Sequence, residues 1–157
     1  MAKRKRVLAR AAVLVSSLGP LFVGSGQAQA YDYDGTGPRA TGCASSARTV
    51  ESAVLRNSVG TRVGVIELRF SSYCKTAWAR LTMDRQQWQC GDPAAGFACS
   101  RAWIVRNNDG RTYRCTLDEG DKRCWTRQVY DLDPLSSFAR GYADTVNGEV
   151  NVRTASY

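Results

Sequence analysis

Six cysteines, at positions 43, 74, 90, 99, 115 and 124, constrain what this chain can fold into more than any other feature. All of them follow a segment with the anatomy of an export signal. Lys3, Arg4, Lys5, Arg6 and Arg10 form a basic start, AAVLVSSLGPLFVGS supplies a short apolar stretch, and Ala28-Gln29-Ala30 reads as a cleavage site. Ser16, Ser17, Gly19 and Pro20 interrupt the apolar stretch, which is too short and too broken to span a membrane. Residues 1–30 are therefore expected to be a signal peptide, and the mature, secreted chain to begin at Tyr31. In an oxidising compartment the cysteines read as structural crosslinks.

Six cysteines allow fifteen pairings and a sequence does not choose among them, but the spacing carries a hint. Cys90 and Cys99 flank eight residues that include Gly91, Pro93 and Gly96, and Cys115 and Cys124 flank another eight that include Gly120. Each pair can clamp its own surface loop, which leaves Cys43 for Cys74. In the chain-entropy model the short loops are worth about 2.7 kcal/mol each and the long one about 3.7 kcal/mol. A zinc or redox site is the competing use of cysteine. No C-x-x-C occurs and the chain has no histidine, so neither a metal nor another cofactor is expected.

The missing histidine also removes the commonest general acid–base, and with it the Ser/His/Asp and Cys/His nucleophile arrangements. No catalytic residue is assigned, and a non-enzymatic role is expected. Charge points the same way. Five of the 22 basic residues lie in the signal, leaving 17 against 14 acidic ones, a net charge of +3. That is an ordinary solvated surface, and neither a nucleic-acid nor a membrane partner is expected from it. Fifteen of the 17 are arginine, a skew that composition alone does not tie to any ligand.

The 127 residues from Tyr31 fit one domain able to bury a real core. Residues 31–42, YDYDGTGPRATG, hold no aliphatic side chain larger than alanine, so they read as an exposed, extended N-terminal arm. Residues 43–157 read as strands. TVESAVLR (49–56) alternates weakly, RVGVIELRFS (62–71) is rich in β-branched and large apolar residues, and TAWARLTM (76–83) places Ala77, Ala79 and Leu81 on one face. RAWIVR (101–106) and RTYRCTL (111–117) flank Asp109-Gly110, a hairpin signal, and CWTRQVYDL (124–132) reads as one further strand. FARGYADTV (138–146) and EVNVRTASY (149–157) are joined by Asn147-Gly148, and the last strand is expected to pin the C-terminus into a sheet. The expected fold is all-β: a compact antiparallel sandwich or barrel of seven or eight short strands, braced by disulfides.

Several constellations invite chemistry. Asp118, Glu119 and Asp121 offer oxygens to a hard cation, but without EF-hand spacing and followed by Lys122 and Arg123 they read as a solvated turn. Asp131 and Asp133 sit on one face of a strand, as a glycosidase pair can, but Pro134 makes a strand-end turn the simpler reading. Trp78, Trp103 and Trp125 are expected in the core against disulfides, whereas Trp88, in DRQQWQC, is the candidate for an exposed contact. Neither Lys75 nor Lys122 has a motif around it that would make a Ser-Lys dyad. In the arm, Tyr31-Asp32-Tyr33-Asp34 alternates aromatic and acidic groups on a segment suited to a groove or sheet edge of another protein.

TGCASSARTV (41–50), VGVIELRFSSYCKTAWAR (63–80) and the closing VRTASY (152–157), with Cys115 and Cys124 between, resemble the YjfA-type small secreted domain of Gram-positive bacteria. The resemblance runs from about Tyr33 to Tyr157, and C-K-T-A-W-A-R is its most specific portion; Cys90 and Cys99 lie outside the shared pattern. It implies an all-β extracellular domain of unknown function without an assigned enzymatic site. Proteins similar to this one serve as adaptors in secreted umbrella-shaped toxin particles of Streptomyces. There an extended N-terminal segment enters a cleft in a lectin, while the body docks on the repeats of a large toxin stalk. The residues here that match such a segment are Tyr31, Asp32, Tyr33, Asp34, Gly35, Thr36, Gly37 and Pro38.

The expected function is thus a secreted adaptor joining a lectin-like protein to a large repeat-containing toxin protein. The alternative is a protease inhibitor presenting Gly91–Ala98 or Thr116–Arg123, with Lys122 or Arg123 in an acidic specificity pocket. A cell-wall hydrolase built on Asp131 and Asp133 is a third, weaker reading.

Overall fold

The computed structural model describes residues 33–157 apart from Gln89, Asp92, Pro93 and Ala95. The expected signal peptide, Tyr31 and Asp32 lie outside the described residues. A short 3₁₀ turn at Cys43–Ser46 leads into nine strands: β1 (Ala47–Arg56), β2 (Arg62–Ser71), β3 (Thr76–Met83), β4 (Arg101–Arg106), β5 (Thr112–Thr116), β6 (Arg123–Trp125), β7 (Val129–Tyr130), β8 (Ser137–Thr145) and β9 (Gly148–Arg153). They form two antiparallel sheets. The first runs β1-β2-β3-β6 with β7 also paired to β3, and the second runs β5-β4-β8-β9. The all-β expectation resolves as a sandwich.

Alternation along each strand explains which face goes inward. In β2, Ile66 and Leu68 are fully buried and Phe70 nearly so, and in β3 Ala77, Ala79 and Leu81 face the same way. Opposite them stand Ala102 and Ile104 of β4, Ala139 and Ala143 of β8, and Val150 of β9. Each fully buried leucine or isoleucine contributes roughly 1.5–3 kcal/mol. The small residues set how closely the sheets approach. A Cβ added to Gly141 would lie 3.0 Å from the Cβ of Ile66.

Residues 124–132 depart from the single strand expected. The run splits into β6 and β7, both antiparallel to β3. Between them Thr126 and Gln128 are buried. The Thr126 hydroxyl accepts from the Ala79 amide at 3.0 Å while its own amide donates to the Ala79 carbonyl at 3.1 Å. A side chain takes over part of the ladder, so regular pairing stops and resumes. This division makes nine strands among the described residues, against the seven or eight expected. The C-terminus is held as expected, though by irregular bonds after β9 ends. Ser137 and Tyr157 exchange amide–carbonyl bonds at 3.1 and 3.2 Å, and the Tyr157 ring sits 5.2 Å from that of Phe70.

The disulfides are Cys43–Cys74, Cys90–Cys99 and Cys115–Cys124, the pairing that spacing favours. Two of them do more than close loops. Cys115 lies on β5 and Cys124 on β6, so this bond staples one sheet to the other. Cys43–Cys74 ties the N-terminal segment to the β2–β3 connection and packs with Trp78 in a second, smaller core. Replacing Cys43 and Cys74 by alanine should lower the unfolding free energy by roughly 3–4 kcal/mol, more than loss of either short bridge. Urea titrations of the three paired variants check this ranking, and a smaller loss for 43–74 than for 90–99 would contradict it.

Candidate functional site

The segment that carries the partner-binding expectation begins in a series of tight turns. The Thr36 amide and hydroxyl both donate to the Tyr33 carbonyl, at 3.1 and 2.6 Å, and the Thr41 hydroxyl donates to the Gly37 carbonyl at 3.1 Å. Gly35 sits at φ +78° with the Tyr113 hydroxyl against it. A side chain there would meet both backbone strain and that ring, so only glycine fits. Pro38 is buried. The expectation of an exposed, extended arm is therefore overturned for residues 33–42, which fold onto the body.

What holds them is polar. The Gly35 amide donates to the Gln128 carbonyl at 2.9 Å, and the Gln128 amide donates to the Thr36 carbonyl at 3.0 Å. The Gln128 side chain is fully buried and its amide is satisfied at both ends. Its Oε1 accepts from the Thr76 hydroxyl at 2.8 Å, and its Nε2 donates to the hydroxyls of Thr36 and Thr41 at 2.9 and 3.0 Å. A buried amide without such partners would cost about 1–3 kcal/mol. The segment has no large aliphatic side chain to form an apolar face, and a hydrogen-bonded one holds it instead.

Asp34 supplies the charge. Its side chain is only 4% exposed and meets Arg106, at the end of β4, which is 3% exposed. Arg106 Nη1 donates to Asp34 Oδ2 at 3.0 Å and to the Tyr130 carbonyl at 3.2 Å. Arg111 Nη1 reaches the same Oδ2 at 3.0 Å, and the Tyr130 amide donates to Asp34 Oδ1. On its other side Arg106 grips Asp109 with a two-pronged contact, Nε to Oδ1 at 2.9 Å and Nη2 to Oδ2 at 2.6 Å. That fork raises the guanidinium's affinity for its proton and holds the Asp109 carboxyl well below the usual carboxylate range. Tyr33, Ala44, Ala47 and Trp125 then pack around Trp78 and the Cys43–Cys74 bond, with Arg39 lying 3.9 Å over the Trp125 ring. Residues Tyr33 to Pro38 are thus brought together as an anchor; Tyr31 and Asp32 precede it.

The other candidates are scattered. Asp118, Glu119 and Asp121 are exposed, and among the described residues no cluster could hold a metal ion. Asp131 is buried whereas Asp133 is exposed, so the two carboxylates do not share a cleft. Trp78 is core at 2% exposure and Trp88 is 72% exposed, both as expected. Trp103 and Trp125 stand half-buried on outward positions, each covered by an arginine; Trp125 packs against the Cys43–Cys74 and Trp78 cluster, whereas Trp103 belongs to neither core. Of the two clamped loops, Lys122 is exposed, but its carbonyl accepts from the Met83 amide at 2.8 Å, and Arg123 is paired with Thr82 in β6. That backbone is committed to the sheet instead of being free to bind a protease.

Two expectations follow. Asp34→Ala leaves Arg106 short of a buried anion and the Tyr130 amide short of an acceptor, and should cost about 3 kcal/mol. Faster amide exchange at Gly35 and Gln128 should accompany it, and unchanged protection there would show that Asp34 does not anchor the segment. The second concerns Asp131, whose Oδ1 accepts from the Ser137 hydroxyl at 2.8 Å while its Oδ2 is buried without a hydrogen-bond partner. Burial pushes this carboxyl up to about 6, partly offset by Ser137 and Arg106. An unfolded aspartate titrates near 3.9. The folded state therefore binds the extra proton between these values, and the stability it confers is full below about pH 4 and lost as pH rises through about 6. Asp131→Asn should match the parent near pH 4 and exceed it above pH 6 by up to about 3 kcal/mol, read from urea unfolding at the two pH values.

Comparison with known proteins adds kinship. Residues 31–140 match the model of DUF2690, described as a protein of unknown function. The uncharacterized protein YjfA of Bacillus subtilis (strain 168) is 37% identical over 163 residues, an alignment covering 98% of this chain and 99% of that protein. No solved structure matches. With more than half of its length matched by the model and a near-full-length relative beside it, this chain belongs to the DUF2690 family.

Proposed function

We propose that this protein is a secreted, non-enzymatic protein-binding module that works as an adaptor. Its N-terminal segment docks a lectin-like partner, and its body engages a large repeat-containing toxin protein of an extracellular antibacterial particle. The observation that carries this reading is the anchor at Asp34. A docking peptide pays an ordering cost when it binds. Here Tyr33 to Pro38 are clasped to the body by a buried ion pair and the Gln128 network, so the chain preceding Tyr33 departs from a fixed point. Three disulfides are the chemistry of an oxidising, extracellular setting and suit a module built to persist there. Among the described residues no helix is long and apolar enough to cross a membrane. The resemblance of the sequence to adaptor subunits supplies the partner classes.

The fold dictates how to test this. A version starting at Gly42 would remove the anchor as well as the docking residues, so the discriminating variant removes only Tyr31 and Asp32. Immobilised chain from Tyr31 should retain a secreted lectin-like protein from the producing organism's culture medium, identified by mass spectrometry. The version starting at Tyr33 should lose it by at least tenfold, as expected when interface anchors are deleted. Equal retention by the two forms would remove the docking role of the segment.

A further inference from the structure

The outward face of the second sheet carries four arginines and three aromatic rings in an ordered array. Inward positions of β4 and β8 go to Ala102, Ile104, Ala139, Gly141 and Ala143; the alternate positions face away from the core. The strand register sets those outward residues in rows. Arg114 of β5 lies opposite Trp103 of β4, Trp103 opposite Arg140 of β8, and Arg140 opposite Arg153 of β9. The next row pairs Arg101 with Tyr142. Phe138, at an outward position two residues before Arg140, adds the third ring.

The guanidinium groups lie over the rings. Arg140 is 4.2 Å from the Trp103 centroid, Arg153 4.3 Å from Phe138 and Arg101 4.8 Å from Tyr142. Among the described residues no carboxylate forms an ion pair with any of these four arginines. The two acidic groups further along the same face are occupied: Asp144 accepts from the Ala98 amide at 2.9 Å, and Glu149 accepts from the Tyr142 hydroxyl at 2.9 Å. Beside the array is a hollow of about 330 Å³ lined by Arg101, Arg114 and Thr116 together with Gly91, Ala98 and Cys99.

Two features of this arrangement are unfavourable for the isolated molecule. Like charges directly opposite each other on adjacent strands repel, as Arg140 and Arg153 do. Nε of Arg101 and Nε of Arg140 are buried without a hydrogen-bond partner, a desolvation cost at those two atoms beside the favourable stacking of both guanidinium groups on the rings. An anionic surface laid on this face would relieve both.

We infer that the outer face of the β5-β4-β8-β9 sheet is a docking surface for an acidic polypeptide. Three features favour protein over other polyanions. Arginine, tryptophan and tyrosine are the residue types that dominate protein–protein contact energies. The rings are already covered by guanidinium groups, so the face offers planar N–H edges suited to carboxylates and not bare rings for sugar stacking. Stacking also holds the arginines in place, which reduces the entropy lost when carboxylates pair with them. The surface shares no residue with Tyr31 to Pro38, so this inference goes beyond the N-terminal docking reading and fails independently of it.

The test uses the mature chain and two probes of matched charge, a glutamate–tyrosine copolymer and inorganic polyphosphate, titrated at low and physiological salt. The copolymer should bind, more weakly as salt rises, and more tightly than polyphosphate. Arg140→Gln with Arg153→Gln should weaken copolymer binding about tenfold or more, as loss of hot-spot arginines does. Arg114→Gln, on an edge strand, should weaken it by a smaller factor and guards against misfolding of the double variant. Arg127→Gln, an exposed arginine elsewhere, should leave it unchanged, as should removal of Tyr31 and Asp32. Absence of copolymer binding, indifference to the double and Arg114 variants, or tighter binding of polyphosphate would each overturn the inference, the last in favour of a phosphate polymer.

Discussion

A buried arginine cannot be left without an anion, and that requirement organises one end of this molecule. Arg106 ends β4 on an inward-facing position, where alternation would place an apolar side chain. Asp109, three residues on in the same hairpin, satisfies half of the guanidinium, and Asp34 satisfies the other half from 72 residues away. The local partner comes with the hairpin. The distant one must be delivered, and delivering it draws residues 33–42 across the β3–β7–β4 junction. Once there, the segment meets Gln128, whose buried amide needs the hydroxyls that Thr36 and Thr41 provide. Charge neutralisation and amide satisfaction thus act on one stretch of chain and hold it without help from large aliphatic groups.

The two sheets use their outer faces differently. On the first, Trp78 points outward from β3 yet is buried, because the N-terminal segment and the Cys43–Cys74 bond cover it. On the second, Trp103 occupies the comparable outward position and lies under the guanidinium of Arg140. One outward tryptophan is closed off by the chain itself; the other lies half-buried beneath a stacked guanidinium. The Cys115–Cys124 staple holds the sheets that bear these two faces in a fixed relation. A body held rigid in this way loses less entropy when either face is covered.

Much of the sandwich was legible because its signals are local. RVGVIELRFS, TAWARLTM and RAWIVR coincide with β2, β3 and β4, since alternation of small or apolar residues with polar ones already records which face is buried. Asp109-Gly110 and Asn147-Gly148 marked hairpins through turn chemistry that depends on two residues only. The exposed Trp88 was readable from its polar neighbours. The failures share a different cause. CWTRQVYDL looked like one strand because nothing in its pattern announces that the side chain of Thr126 takes a backbone's place in the ladder. Trp103 was assigned to the core from residue type, whereas its exposure depends on what crosses the sheet's outer face.

From the sequence alone came the all-β class, the disulfide-stapled design with its favoured pairing, and the absence of histidine chemistry, because these rest on composition, spacing and short-range periodicity. The tertiary structure alone decided that YDGTGP (33–38) is an anchor and not a free arm, that Arg106 is its counter-ion, and that four scattered arginines form one face. The physical reason is separation along the chain. Asp34 and Arg106, Thr36 and Gln128, or Arg114 and Arg153 acquire their roles only when the fold brings them within a few ångströms, and ion pairs, amide networks and charge arrays exist only at that range.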